Sequence, residues 1–344
     1  MIHEVTISGL RGVDEGRITD LSPLVVLVGS NGSGKSTVLD ALLIGTGDAP
    51  GDEVGRSVQR RPDLWNGARW LIPRHRETGS TIEVIRRRGG GEERRTTRLR
   101  FQDTIDTDLA HDLMEQRPGV PASGSIMVDV DCPGASHAAL AGFLADNSYQ
   151  CKYSEQQIPA WDTKLIDIPH GSNQPLDALF ITATERGRLE QAVKILQSLY
   201  GDRIRDITVL TDKAAPVIYV VTDRGNIPIM ALGDGIACLV RIVLELAIAP
   251  HGLVLLEEPE IHQSPRMIMS LAEIIWAAVD RGVQVVASTH SLAFINALLK
   301  YAPAWARGDL NILGLSLHKG LLTSQRLSTY DVEALRQELE AALG

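Results

Sequence analysis

Apolar and polar positions recur along this chain with periods of two and of about 3.6, and their order predicts strands alternating with helices. Residues 2–8 (Ile2, Val5, Ile7) read as a half-buried strand, and Leu24-Val25-Val26-Leu27-Val28 as one buried on both faces. A helix pattern covers 38–44 and is expected to stop at Gly45. Residues 81–86 and 94–101 flank Gly89-Gly90-Gly91 and predict a hairpin. Residues 125–131 predict a strand, 138–144 a short helix, and 188–200 a helix stopping at Gly201. Strands are expected over 204–211 and 217–222. A buried helix then spans 236–249, with Asp234 suited to cap it and Pro250 to end it. Two further apolar strands, 252–256 and 283–287, bracket a helix with Ser264 as N-cap, Pro265 as N1 and Gly282 just past its end. A hairpin over 310–318 and 321–327 and a short helix from about Asp331 complete the pattern. No repeat and no sustained heptad appears, which excludes a long coiled coil.

The 344 residues allow about two domains, and 44% hydrophobic residues suffice for a sizeable core. Cys132, Cys151 and Cys238 are too few and too scattered for a disulfide framework or a zinc site. The first residues lack the regions of a signal peptide, and no apolar stretch reaches about 18 residues without a charge. A soluble cytoplasmic protein with no membrane partner is therefore expected. The net charge of −9 is unevenly spread: residues 51–100 hold 13 arginines, no lysine and 7 acids, leaving −15 on the remainder. These arginines suit either a solvated hairpin face or a patch over 56–100 that tracks nucleic-acid phosphates. Asp129 and Asp131 share one face of their strand, where they could hold a divalent metal or simply form its polar side.

Between the apolar strand at 24–28 and the following helix lies Gly29-Ser30-Asn31-Gly32-Ser33-Gly34-Lys35-Ser36-Thr37. This is G-x-x-x-x-G-K-[ST] in the strand–loop–helix context of a P-loop. Its glycines let backbone N–H groups turn around phosphate oxygens, and the helix start offers its positive end to the same anion. Lys35 can reach the β- and γ-phosphates, and the Ser36 hydroxyl can ligate Mg²⁺. Glu257 and Glu258 end the strand at 252–256, where adjacent carboxylates are costly unless they serve a cation or share hydrogen bonds. The economical assignment gives Glu257 to the Mg²⁺ shell and Glu258 to the attacking water. His290 ends the next apolar strand and is placed for a γ-phosphate. Polar residues gathered at strand C-termini indicate an open α/β sheet with its site on that edge.

These residues resemble the ABC-type ATPase heads of the SMC, RecF and overcoming-lysogenization-defect (OLD) group, over residues 1–50 and 201–318. Asn31 gives the P-loop the look of the ABC form of Walker A. Residues 253–258 match Walker B with its catalytic glutamate, Pro259-Glu260-Ile261-His262 the D-loop, and Thr289-His290-Ser291 the switch-histidine segment. Leu232-Gly233-Asp234-Gly235 stands where the family carries its signature motif, and Arg11 where SMC-like heads bring an arginine to nucleotide phosphates. Several positions depart from the pattern. Glu257 replaces the Walker B aspartate, Gly233 replaces the signature serine and its hydroxyl donor, and Ser264-Pro265 stands for His-Pro. Gln102 and Gln150 are Q-loop candidates by position alone. OLD proteins continue into a TOPRIM nuclease, for which the residues after His318 are too few.

The resemblance implies a P-loop NTPase of ABC-ATPase type: an α/β fold with a mixed or parallel sheet flanked by helices, an antiparallel hairpin lobe and an inserted subdomain. Residues 1–102 and 201–344 would form the head, and 103–200 the insertion. ATP and Mg²⁺ are the implied cofactors. Asn31, Gly32, Ser33, Gly34, Lys35, Ser36, Thr37 and Arg11 would bind nucleotide, and Gly233, Asp234 and Gly235 would meet the nucleotide of a partner head. Ser36 and Glu257 would hold the metal. Glu258, His290 and Lys35 would carry catalysis. Expected partners are a second copy of the chain, in an ATP-dependent homodimer or higher oligomer, and a separate effector such as a nuclease or toxin, with anti-phage defence a plausible setting. The alternatives are a RecF-like repair ATPase that binds DNA directly through the arginine-rich segment, and a transporter ATPase, which the Met230-to-Gly235 stretch fits poorly.

Overall fold

The computed structural model describes residues 1–328 apart from 74–77, 155–157, 160, 169–173, 201–202, 213–214, 250 and 307. In chain order the strands are β1 (Ile2–Leu10), β2 (Val13–Ile18), β3 (Leu24–Val28), β4 (Ser80–Arg88), β5 (Gly91–Gln102), β6 (Ala122–Cys132), β7 (Ala135–Leu144) and β8 (Tyr149–Tyr153). They continue with β9 (Thr163–Asp167), β10 (Ile204–Asp212), β11 (Ala215–Thr222), β12 (Gly225–Pro228), β13 (Leu253–Glu257), β14 (Gln284–Ser288), β15 (Leu310–His318) and β16 (Leu321–Leu327). The helices are α1 (Lys35–Thr46), α2 (Pro50–Gln59), α3 (Thr107–Gln116), α4 (Leu176–Glu185), α5 (Glu190–Tyr200), α6 (Asp234–Ile248), α7 (Pro265–Asp280) and α8 (Leu292–Lys300). The stops expected at Gly201 and Pro250 and the helix expected from Asp331 lie outside the described residues. Among those residues no helix is long and apolar enough to cross a membrane.

A mixed sheet of 13 strands runs β8-β7-β6-β5-β4-β1-β2-β16-β15-β3-β14-β13-β9, and β10-β11-β12 form a small antiparallel sheet. From β15 to β9 all neighbours are parallel, whereas the strands from β8 to β2 form an antiparallel lobe. The central parallel strands are buried on both faces, as their unbroken apolar runs require. Alternation sorts their side chains between two cores. Leu24, Val26, Val254, Leu256, Val285 and Ala287 pack with α6, α7 and α8. Val25, Leu27, Leu253, Leu255 and Val286 face the other way and pack with α1. Each such valine or leucine side chain contributes roughly 1.5–3 kcal/mol by burial. The same parity turns Glu257 and Asp167, at the ends of β13 and β9, toward the α1 face.

Several sequence expectations need correction. Helix α1 does not stop at Gly45. A Cβ there would lie 2.7 Å from a Val84 methyl, so this glycine serves the close approach of β4 and the helix runs on to Thr46. The end of α1 is held by a buried arginine, Arg95, whose Nη1 donates to the Thr46 and Gly47 carbonyls at 3.0 Å each. Residues 138–144 are not helical but lie in β7, hydrogen-bonded to β6 on one side and β8 on the other. Pairing on both edges overrides alanine's helical preference, and Ala139, Ala141 and Phe143 alternate inward. Asp234 does not cap α6; Gly233 is the N-cap and Asp234 the first helical residue. Residues 103–200 contribute β6 to β8 to the antiparallel lobe and β9 to the parallel centre beside β13.

The arginine-rich segment is largely neutralised in place. Across the β4–β5 register Arg86 pairs with Glu93 (Nε to Oε2, 2.9 Å) and Arg87 with Glu92 (3.1 Å), and Arg94 meets Glu83 at 3.2 Å. Asp131 and Asp129 of β6 receive Arg98 and, at 3.8 Å, Arg100. The aspartate pair therefore serves cross-strand ion pairs, and among the described residues no cluster of three or more His, Cys, Asp or Glu could hold a metal.

Helix α2 begins with Pro50 at its first turn and buries Glu53, whose Oε2 accepts from Arg56 at 2.9 Å. Burial outweighs the arginine and pushes this carboxyl up to about 7. A carboxyl so raised favours the folded state below its unfolded value, and that contribution is lost as pH rises through about 7. Glu53→Gln is expected to remove roughly 3 kcal/mol of the stability decline between acid and neutral pH. Urea denaturation at pH 5 and pH 8 checks this; equal declines in both proteins would refute it.

Candidate functional site

The apolar strand β3 delivers its chain to the carboxyl edge of the sheet, where Gly29 and Gly34 take positive φ values of 150° and 95°. A side chain at Gly29 would collide with the Leu315 carbonyl, 2.6 Å away, so only glycine lets the loop turn here. Gly34 is the N-cap of α1 and no side chain caps the helix, which leaves its first N–H groups for an anion. Lys35 lies within the loop, its Nζ donating to the Gly29 and Ser30 carbonyls at 2.8 and 3.1 Å. Burial lowers its pKa, against the opposing pull of Glu258. Asn31 and Gly32 at the tip are exposed, and Ser33 and Thr37 are buried beneath it. The buried Ser33 hydroxyl has no partner among the described residues.

Glu258 follows the last residue of β13 in a left-handed conformation, φ 43°, uncommon for a residue with a side chain. Its N–H donates to the Ser288 carbonyl at 3.1 Å, which ties the turn to β14. The partly exposed carboxylate lies 3.4 Å from His290 Nε2. Burial and then Lys35 lower the His290 pKa, against the pull of Glu258, so the imidazole is neutral at neutral pH. The structure thus brings Lys35, Glu258 and His290 together from three neighbouring strand ends. Behind them Glu260 accepts from the Thr289 hydroxyl and from the His290 N–H at 3.3 Å, fixing the segment that bears the histidine. Burial pushes Glu260 up as well, despite these donors.

Glu257 is 4% exposed and faces α1, where it meets the guanidinium of Arg60, the residue just after α2. Arg60, 6% exposed, also contacts Asp40 of α1 and donates from Nε to Asp167 Oδ2 at 2.5 Å. Asp40, fully buried, takes two more arginines: Arg11 Nε at 2.8 Å and Arg61 Nη1 at 3.6 Å. Burial alone would raise Asp40; Arg60, Arg11 and Arg61 outweigh it and hold the carboxyl below its usual range. Ser36, half-buried, lies in the first turn of α1. The hydroxyl of Ser36 and the carboxylate of Glu257 are the hard oxygen donors that Mg²⁺ accepts, with one Glu257 oxygen already engaged by Arg60.

Arg11 is held by groups of the protein itself. Its Nη2 donates to the Ser57 carbonyl at 2.7 Å while Nε holds Asp40. Gly233 and Asp234 are exposed at the start of α6, and Gly235 packs directly on the D-loop. A Cβ at Gly235 would lie 2.3 Å from the His262 carbonyl, and Gln263 Nε2 donates to the Gly235 carbonyl at 3.2 Å. Gln102 and Gln150 sit in β5 and β8, separated from β3 by β4, β1, β2, β16 and β15, which leaves no Q-loop glutamine assigned. Sequence reasoning missed Asp40, Arg60 and Asp167. The lone aspartate inside the apolar run 38–44 was the available signal, since a charge on a buried helix demands a partner.

Two family models match the chain. One, described as "AAA domain, putative AbiEii toxin, Type IV TA system", covers residues 158–296, and one described as "AAA domain" covers residues 4–117. No curated protein matches it. Among solved structures, the SmcHead bound to the C-winged helix domain of ScpA is 14% identical with a TM-score of 0.50, over 96% of this chain and 98% of that one. The SMC head domain from Thermotoga maritima is 11% identical (TM-score 0.48; 95% and 99% covered). An Smc head domain with an extended coiled coil, bound to the C-terminal domain of ScpA derived from Pyrococcus furiosus, is 12% identical (0.47; 98% and 99%). The likeness to the SmcHead structure is one of fold.

Proposed function

We propose that this chain, which matches two AAA-domain family models and shares the head fold of an SMC structure, is an ABC-type ATPase that hydrolyses ATP between two heads and transmits the event to a separate effector. The observation that carries the proposal is the meeting of Lys35, Glu258 and His290 beside the uncapped start of α1. On nucleotide binding Lys35 would exchange the Gly29 and Ser30 carbonyls for phosphate oxygens. Glu258 would accept the proton of the attacking water, and the neutral His290, 3.4 Å away, would orient it. Mg²⁺, held by Ser36 and Glu257, would supply charge neutralisation on the phosphates.

The second head follows from the other open helix start. Gly233 caps α6 without a side chain, and Asp234 and Gly235 follow it in the first turn. Near it Met230 is 61% exposed, with Leu210 and Ile227 also exposed on the small sheet, an apolar surface suited to burial in an assembly. The family description over residues 158–296, which names a putative AbiEii toxin and a Type IV TA system, supports a toxin–antitoxin or defence setting. Direct DNA binding through residues 56–100 is the less favoured reading, because arginines 86, 87, 94, 98 and 100 each have a carboxylate partner. The trans-site proposal predicts that Glu258→Gln sediments as a larger species with Mg–ATP than without it. An unchanged mass would refute it.

A further inference from the structure

Glu257 ends a strand buried on both faces, where a carboxylate is costly unless a cation lies beside it. Arg60 supplies that cation from outside the P-loop. Its guanidinium is shared among carboxylates from three elements: Asp40 on α1, Asp167 on β9 and Glu257 on β13. The planar fork of five donors can serve all of them at once, which a lysine ammonium cannot. We propose that Arg60 is a positioning residue that competes with the divalent cation for Glu257, releasing this carboxylate to the metal only as the guanidinium withdraws toward Asp167.

A divalent ion at Glu257 would lie against the charge of Arg60 in a low-dielectric setting, where like charges repel strongly. The Glu257 oxygen that meets Arg60, Oε2, therefore faces the arginine or the metal, not both. Withdrawal need not strand the arginine, because Asp167 Oδ2 already accepts from its Nε at 2.5 Å. The two carboxylates next to one another at the ends of β9 and β13, paired in register, thus compete for the same guanidinium. Strengthening the hold of Asp167 frees Glu257; weakening it returns Arg60 to Glu257.

The inference rests on the ATPase reading, and its test separates the two. Binding of a fluorescent ATP analogue to the full chain is titrated with Mg²⁺ for the wild type, Arg60→Lys and Asp167→Asn, with folding checked by circular dichroism. Arg60→Lys is expected to lower the half-saturating Mg²⁺ about fivefold, because the ammonium grips Glu257 less well. Asp167→Asn is expected to raise it by about the same factor, because Arg60 loses its alternative seat. Metal-free nucleotide binding, carried by the P-loop, should be equal in all three. A purely structural role would shift both variants in one direction or neither, and either result overturns the proposal. If only one variant folds, its own direction of shift decides. A wild type that binds no nucleotide under any condition would instead remove the ATPase reading itself.

Discussion

Glu258→Gln is expected to bind ATP with near-normal affinity and to hydrolyse it about 10²–10⁴-fold more slowly, the usual contribution of a general base. The amide keeps the shape of the carboxylate but cannot accept the proton of the attacking water. Binding should survive because the groups that hold phosphate, Lys35 and the open first turn of α1, belong to the P-loop and not to β13. The left-handed backbone at Glu258, a conformation that costs of order 1–3 kcal/mol, accords with a side chain held for use. Phosphate release under single-turnover conditions, with binding measured separately, gives the answer. Turnover within a few-fold of wild type would place the base elsewhere, Glu260 being the next carboxylate along the turn.

Much of this site was legible because its signals are local. The P-loop spacing, the apolar run into Glu257-Glu258 and the strand before His290 each occupy a few consecutive residues, and the structure gathers them on one edge. The cross-sheet ion network was not legible. Arg60 and Arg61 stood among thirteen arginines in a segment whose composition pointed to surface, and nothing in their spacing distinguishes them from Arg87 or Arg94 on the solvated face. Asp167 lay in a stretch without clear periodicity. Such partners are set by which strand becomes β13's neighbour, a tertiary outcome. Strand β7 was misread for a related reason: alanine and leucine favour helix, and only pairing on both edges decides otherwise.

The second large effect concerns that network. Asp40→Asn is expected to cost about 3–5 kcal/mol of stability, the range for removing one partner of a buried ion pair. Asp40 is 0% exposed and receives Arg11, Arg60 and Arg61, so the amide leaves three guanidinium groups without the carboxylate they share. The effect carries a pH signature. The Asp40 pKa is held below its ordinary value of 3.8, so its stabilisation is present above that value and lost as pH falls through the folded one. Wild type and Asp40→Asn should therefore converge in stability on acidification. Urea midpoints at pH 7 and pH 3 test both statements, and a loss below about 1 kcal/mol at neutral pH would mean that the arginines find other partners.

The strand that presents the P-loop lies between β14 and β15, both made from the far end of the sequence. The Asn311 side chain donates to the Asp20 carbonyl across 291 residues of chain, and Gln284 reaches Ile2 across 282. During translation, at about 5–20 residues per second, Leu24–Val28 would wait roughly 15–60 s for the strands that cover its edges. An all-apolar strand with both edges unpaired for that long is an aggregation template. Production of the native protein is consequently governed by how well the emerging chain is shielded: slower synthesis lengthens the exposure of this one segment, and a chaperone that binds short apolar stretches relieves it.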